Sequence, residues 1–196
     1  MAGRRCALES LDLNFVATPI DGLWEVQTRP HGDARGGLTR TFCAQAFAAH
    51  LQPGIQFVQT NLSRTEARAT VRGLHFQRAP LLEAKLVRCL RGAVHDVVVD
   101  LRAGSPSFGR WHAVRLDEHE ELELLIPPGC AHGFQTLSDR VQMLYQHSAP
   151  YTPASEGGVR HDDPALAIAW PLPVGLVSKR DRCHPLIDDQ FQGVQL

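Results

Sequence analysis

This sequence lacks the cysteine pattern that would hold a small secreted fold together. Its five cysteines (Cys6, Cys43, Cys89, Cys130 and Cys183) are odd in number and widely spaced, with no Cys-x-x-Cys pair. That argues against both a disulfide framework and a zinc knuckle, and makes reduced, cytosolic thiols the expectation. No apolar stretch follows Arg4-Arg5, and none elsewhere is long enough to span a bilayer, so neither a secretion signal nor a membrane partner is predicted. Charge of one sign is also missing. With 20 Lys and Arg against 21 Asp and Glu, scattered rather than blocked, there is no electrostatic footprint for nucleic acid. A small anionic ligand held by a few arginines remains open.

What is present is apolar content for a real core. At 196 residues and 43% hydrophobic composition, with no internal repeat or linker, the chain reads as a single domain over 1–196. A chain of that size buries roughly 70% of its unfolded surface. Segments 11–17 and 23–28 read as short strands broken by Pro19-Ile-Asp-Gly22, and 31–37 as a turn. Phe42 to Leu51 reads as a helix from its alanines, with Phe42, Ala46 and Phe47 on one side and Pro53-Gly54 ending it. From Ile55 to His147, short alternating or β-branched segments recur about every ten residues between turn signals. That spacing predicts an antiparallel sandwich or barrel rather than βαβ units. The prolines from Pro150 to Pro185 predict a wrapping C-terminal segment with little sheet pairing, anchored by burial of Trp170.

The stretch 59–102 carries the chemistry, because its strands place polar groups where a half-buried strand ordinarily holds apolar ones. Lys85, Val87, Cys89 and Arg91 share one face of a strand. In the next, the run His95, Val97, Val99 and Leu101 is the expected packed face, leaving Asp96 toward a cavity or solvent. Gly92 between them predicts a tight hairpin. His75 lies in Arg72-Gly-Leu-His-Phe-Gln77; strict alternation opposes it to Arg72, and a bulge at Gly73 would reconcile the two. Pro127-x-Gly129-x-x-His132 is a turn that delivers a histidine into the mouth of a small barrel. It resembles the second cupin motif.

The first cupin motif would supply a His-x-His pair and a glutamate; here Gln77 stands at the second histidine, so the usual three-ligand metal site is not assembled. Two histidines and a glutamate can still hold an ion weakly. Tyr145 and Tyr151 are the only tyrosines. Ser178-Lys-Arg-Asp181 reads as a solvated turn, and nothing in the residues alone distinguishes Asp181 from other aspartates.

In order and spacing, these motifs resemble the dTDP-4-dehydrorhamnose 3,5-epimerase family over about residues 32–185. The resemblance rests on Gly32-Asp-x-Arg35-Gly, Gln59-x-Asn61-x-Ser63, Val71-Arg-Gly-Leu-His-Phe-Gln77, Lys85-Leu-Val-Arg88, Asp96-Val-x-Val-Asp100-Leu-Arg102, Gly104-Ser-Pro-Ser-Phe-Gly109-x-Trp111, Ile126-Pro-x-Gly-x-Ala-His-Gly-Phe134, Leu144-Tyr145, Tyr151-x-Pro-x-Ser-Glu156 and Ser178-x-x-Asp181. It implies an all-β, cupin-like jelly-roll barrel with a short helix after the N-terminal strands and a wrapping C-terminal segment. It also implies a homodimer with a nucleotide-sugar substrate and epimerisation at C3, C5 or both of a 4-keto-6-deoxyhexose. No cofactor is implied, since proton transfer is the whole reaction.

By this resemblance His75 is the base, Asp181 its supporting carboxylate, Tyr145 the acid and Lys85 the stabiliser of the enolate. Arg35 and Arg72 would bind diphosphate, Gln59 and Asn61 neighbouring polar groups, and Tyr151 the nucleobase. Glu156 and His132 match further contacts, and Arg180 replaces a family lysine in that region. Other departures are Arg40 for a glutamate, Gly37-Leu38 for two phenylalanines, Leu81-Leu-Glu-Ala84 without the usual glutamine, Gln146 for a lysine and Pro150 for a tyrosine. They leave the nucleotide base open. Two alternatives stand beside this reading: a metal-dependent cupin dioxygenase or isomerase, and a non-catalytic nucleotide-sugar binder.

Overall fold

The structure, a computed structural model, describes residues 12–196. Leu11 and Cys6 lie outside the described residues. Thirteen strands and two short helices follow one another as β1 (Leu13–Ala17), β2 (Trp24–Thr28), β3 (Pro30–Asp33), β4 (Gly36–Thr39), α1 (Ala44–Phe47), β5 (Gln59–Thr65), β6 (Val71–Gln77), β7 (Lys85–Arg91), β8 (Ala93–Asp100), β9 (Trp111–Asp117), β10 (Leu122–Ile126), β11 (Cys130–Thr136), β12 (Val141–His147), β13 (Glu156–Gly158) and α2 (Lys179–Arg182). A six-stranded sheet runs β1-β2-β10-β7-β12-β5, and a five-stranded sheet runs β13-β6-β11-β8-β9. Every pairing within them is antiparallel, as the strand spacing predicts. The chain has the expected cupin-like β fold. No described helix is long and apolar enough to cross a membrane.

The strand periodicity resolves into three apolar layers. Between the sheets, Val87, Cys89, Leu124, Ile126 and Met143 pack against Val94, Val98, Leu116 and Phe134. Outside the five-stranded sheet, Leu74, Phe76, Val97, Val99 and Leu101 meet Val159, Leu166, Trp170 and Val194 of the C-terminal segment. This is the predicted wrap, and Trp170 is held further by its indole N–H donating to the His161 carbonyl at 2.8 Å. Outside the six-stranded sheet, Leu13, Val26, Leu86 and Leu125 are covered by Phe47, Phe42 and Ala46.

Sequence expectations are corrected here in two stretches, first around Gly92 and β8 and then between His31 and Leu51. The segments on either side of Gly92 do not form a hairpin: β7 pairs with β10 and β12, whereas β8 pairs with β11 and β9. Gly92, at φ +75°, is instead the corner where the chain leaves one sheet for the other. Its N–H donates to Glu118 at 2.9 Å and that of Ala93 to Ser138 at 3.0 Å, replacing the bonds a hairpin would make. Because β8 lies between two apolar layers, both of its faces are packed, not only the His95 to Leu101 set. Second, the helix expected from Phe42 to Leu51 is regular only over Ala44–Phe47. Its N-cap, Cys43, makes no side-chain cap and no charged residue supports either end, so only the packing of Phe47 sustains it. The 31–37 segment is a small hairpin, with β3 and β4 flanking the turn at Ala34-Arg35.

A buried carboxylate fastens the loop after β8. Asp100 accepts from the Arg102 N–H and guanidinium and from the hydroxyls of Ser105 and Ser107, both at 2.6 Å. Burial opposes its charge, but these donors outweigh burial and lower its pKa from 3.8 to about 2. Its contribution to stability is complete above about pH 4 and is lost as pH falls through about 2, amounting to about 2 kcal/mol. Denaturant unfolding of wild type and Asp100→Asn should therefore show a stability gap that closes by about that amount between pH 4 and pH 2. A gap unchanged over this range removes Asp100 from the account.

Candidate active site

The two sheets enclose a cavity of about 590 Å³, and the polar residues of β5, β6, β7, β11 and β12 converge on it. His75 and Arg72 both line it although they are three apart on one strand. The expected bulge explains this: two steps on β11, from His132 to Phe134, face three on β6, from His75 to Arg72. Gly73 takes φ +107°, and a Cβ there would come within 2.7 Å of the β11 backbone. Only glycine allows the approach.

His75 donates from Nε2 to Asp181 Oδ1 at 2.9 Å, leaving Nδ1 as its basic nitrogen. Asp181 is not part of a solvated turn, as its sequence context suggests; it is 3% exposed on α2. Ser178 caps that helix by accepting from the Asp181 N–H at 3.0 Å, and the Gly73 N–H donates to Asp181 Oδ2 at 3.2 Å. Burial works against the Asp181 charge, but the His75 hydrogen bond and charge, then the Gly73 N–H and the Ser178 side chain, hold its carboxyl well below the usual carboxylate range. Tyr145 faces this dyad from the other sheet. Burial, then the nearby Asp96 carboxylate, pushes the Tyr145 phenol upward, so it is protonated throughout the physiological range.

Lys85 is 5% exposed; its ammonium donates to the His75 carbonyl at 3.0 Å and pairs with Glu83 at 3.1 Å. Glu83 also accepts from His147 Nδ1 at 2.9 Å. His132, opposite His75 on β11, donates from Nε2 to both oxygens of the fully buried Asp96 at 2.9 Å. Asp96 thus faces inward, the cavity side of the two alternatives that the alternation left open. Among the described residues Arg72 directs its guanidinium to neutral oxygens only, Thr65 Oγ1 at 2.8 Å and the Arg64 carbonyl at 3.1 Å, so its charge faces no carboxylate there.

The mouth of the cavity gathers several further polar residues. Asn61, Tyr151, Glu156 and Arg180 line it, and Gln59 holds the Tyr151 loop by accepting from its N–H at 3.1 Å. Tyr151 donates its hydroxyl to Glu156 at 2.9 Å, and Arg180 pairs with the same carboxylate at 3.0 Å. Arg35 is not one of these residues. It lies on the β3–β4 turn, outside the cavity, paired to Asp33 with 90% of its side chain exposed. Its hairpin pairs with neither of the two main sheets.

Sequence reading missed Glu83 and His147. The signal was there in part: Glu83 stands two residues before Lys85, where the family glutamine is lacking. His147 carried none, since only the pairing of β12 with β7 sets it directly across from Lys85.

The site can do one kind of chemistry well: an imidazole backed by a carboxylate on one wall, a protonated phenol on the other, and a buried ammonium beside them suit proton transfer at carbon with an oxyanion to stabilise. Comparison with known proteins points the same way. Residues 17–189 match the model of the family described as dTDP-4-dehydrorhamnose 3,5-epimerase. A dTDP-4-dehydrorhamnose 3-epimerase of Streptomyces niveus is 42% identical over 83% of this chain and 78% of its own length. A dTDP-4-dehydrorhamnose 3,5-epimerase of Sinorhizobium fredii is 39% identical over 89% of each. Among solved structures, the dTDP-6-deoxy-D-glucose-3,5-epimerase of Legionella pneumophila in complex with dTDP-4-keto-L-rhamnose superposes with a TM-score of 0.85 at 37% identity. That match covers 93% of this chain and 98% of the other.

The two tyrosines give a direct check on the cavity mouth. The hydrogen bond to Glu156 raises the Tyr151 pKa, and burial raises that of Tyr145. Ultraviolet difference titration of Glu156→Gln should move the phase of the exposed phenol, Tyr151, back toward the ordinary tyrosine value. If that phase does not move, the Tyr151–Glu156 contact is absent in solution.

Proposed function

The chain belongs to the dTDP-4-dehydrorhamnose 3,5-epimerase family, and from that premise we propose how its cavity works. The enzyme epimerises a nucleotide-linked 4-keto-6-deoxyhexose in deoxysugar biosynthesis. The observation that carries the residue assignment is the His75–Asp181 hydrogen bond facing Tyr145 across the cavity. The C4 ketone acidifies the neighbouring C–H bonds. His75 takes a proton from one face of the sugar, and the anionic Asp181 stabilises the imidazolium that forms. Lys85, held by Glu83 and the His75 carbonyl, has one ammonium proton left for the enolate oxygen. Tyr145 returns a proton from the opposite face, inverting the centre.

Arg72, with Arg180 at the mouth, binds the diphosphate; Gln59, Asn61, His132 and Glu156 line the remainder, and the exposed Tyr151 ring stacks on the base. We place dTDP first among nucleotides because the relatives are named for it. Relatives named both 3-epimerase and 3,5-epimerase leave one or two inverted centres open, and the exchange experiment below decides between them. The four described cysteines are free, which suits a reducing cytoplasm. We propose a homodimer in which Arg35, which does not line the cavity of its own chain, serves the cavity of the second subunit.

Incubation with dTDP-4-keto-6-deoxyglucose in deuterated water should place deuterium at C3, C5 or both. His75→Ala should lower exchange by at least about 10²-fold, and Tyr145→Phe should lose inversion more than exchange. Wild-type rates in His75→Ala would end the base assignment. Co-expressed Arg35→Ala and His75→Ala chains should regain activity that neither has alone, because a mixed dimer contains one complete site. Failure to complement would place Arg35 outside the reaction.

A further inference from the structure

Beside the dyad lies a third group that proton transfer does not use. His184 follows α2 directly, and one of its ring nitrogens lies within 4.8 Å of a ligand atom of both His75 and Asp181. The two imidazoles meet edge to face with centroids 5.9 Å apart. His184 Nε2 is buried and has no hydrogen-bond partner. The ring occupies the space above Gly158, the β13 residue opposite His75, where any Cβ would overlap it. A glycine at 158 is therefore required to hold His184 in this place.

We propose that His75, Asp181 and His184 form a binding site for a zinc-class divalent ion, and that its occupancy switches the epimerase off. The inhibition half rests on His75 being the base. Two imidazoles and one carboxylate are a donor set that zinc takes at 2.0 to 2.2 Å, leaving a fourth position toward the cavity. The site already stabilises positive charge, since Asp181 Oδ1 faces the imidazole while Oδ2 is fixed by the Gly73 N–H. An ion replaces the proton between His75 and Asp181. The Nε2–H bond of His75 breaks and solvent carries the proton to Nδ1, so that the ring stays neutral; Nε2 and Oδ1 bind the metal, and His184 closes in from the loop after α2. No electron transfer is involved. With the metal on Nε2 and the proton on Nδ1, His75 has no basic nitrogen left to take a proton from the sugar.

The exposed Cys183 next door is the obvious competitor for metal, so the experiment uses Cys183→Ser as the parent. Titration of this protein with Zn²⁺ by calorimetry, and with Co²⁺ by visible absorption, should show a tight site whose cobalt spectrum lacks a thiolate charge-transfer band. His184→Asn should weaken it by at least about 10-fold, the smallest loss found even for outer-shell partners of a metal site. Gly158→Ala, which displaces the ring while keeping all three side chains, should weaken it as well. Solvent exchange into the sugar should be inhibited by Zn²⁺ in the parent and resist it in His184→Asn, whose metal-free rate stays near that of the parent. Equal metal affinity in parent and His184→Asn, or stimulation by Zn²⁺, overturns the proposal. Tight His184-dependent binding in a protein that never exchanges sugar protons would instead retain the metal site and discard the epimerase assignment.

Discussion

The contact between Asp181 and the bulged turn of β6 is the joint on which this site depends. The carboxylate is buried, and a buried charge is tolerated only when donors surround it. Here the donors, the Gly73 N–H and the His75 imidazole, both come from the barrel, while Ser178 holds the residue itself in the C-terminal segment by accepting from its backbone N–H. The same contact that orients the base therefore docks the tail. Loss of the carboxylate would leave an unsatisfied backbone N–H and an imidazole without its counter-charge. Structure and chemistry share one interaction.

The barrel interior is divided. One part is filled by Val87, Cys89, Val98, Leu124 and Met143, and the rest is given to the polar cavity. The division follows from strands that begin polar and turn apolar along one face, as β7 does from Lys85 to Val87 and Cys89. The apolar part supplies cohesion that the polar part cannot. Both outer faces of the sandwich are also covered, by the α1 segment on one side and residues 159–194 on the other. Strands with two buried faces move little, and this rigidity keeps base, phenol and ammonium in place.

Lys85 illustrates how one departure from the family pattern is absorbed. A glutamate two residues earlier places a full negative charge against its ammonium, and His147, paired across on β12, donates to that same carboxylate. Burial alone would raise the Glu83 pKa; the His147 hydrogen bond and the Lys85 charge bring it below its ordinary value. The ammonium is consequently oriented by a charged network rather than by a neutral amide.

Much of this molecule could be read before any coordinates. Period-two alternation located the strands and set Asp96 off the packed face, and the mismatch between Arg72 and His75 on one strand pointed to the bulge that Gly73 provides. The order of the motifs identified the family. What alternation could not decide was which strands pair, because a run such as β8, apolar on both faces, satisfies a hairpin and an interior strand equally well until the layers outside the sheets are known. Nor could it choose Asp181 among the aspartates, separate Arg35 from the cavity, or bring His147 to Lys85. Local pattern depends on neighbours along the chain, whereas a charge buried 106 positions away from its partner is settled only by long-range packing that takes both from water together.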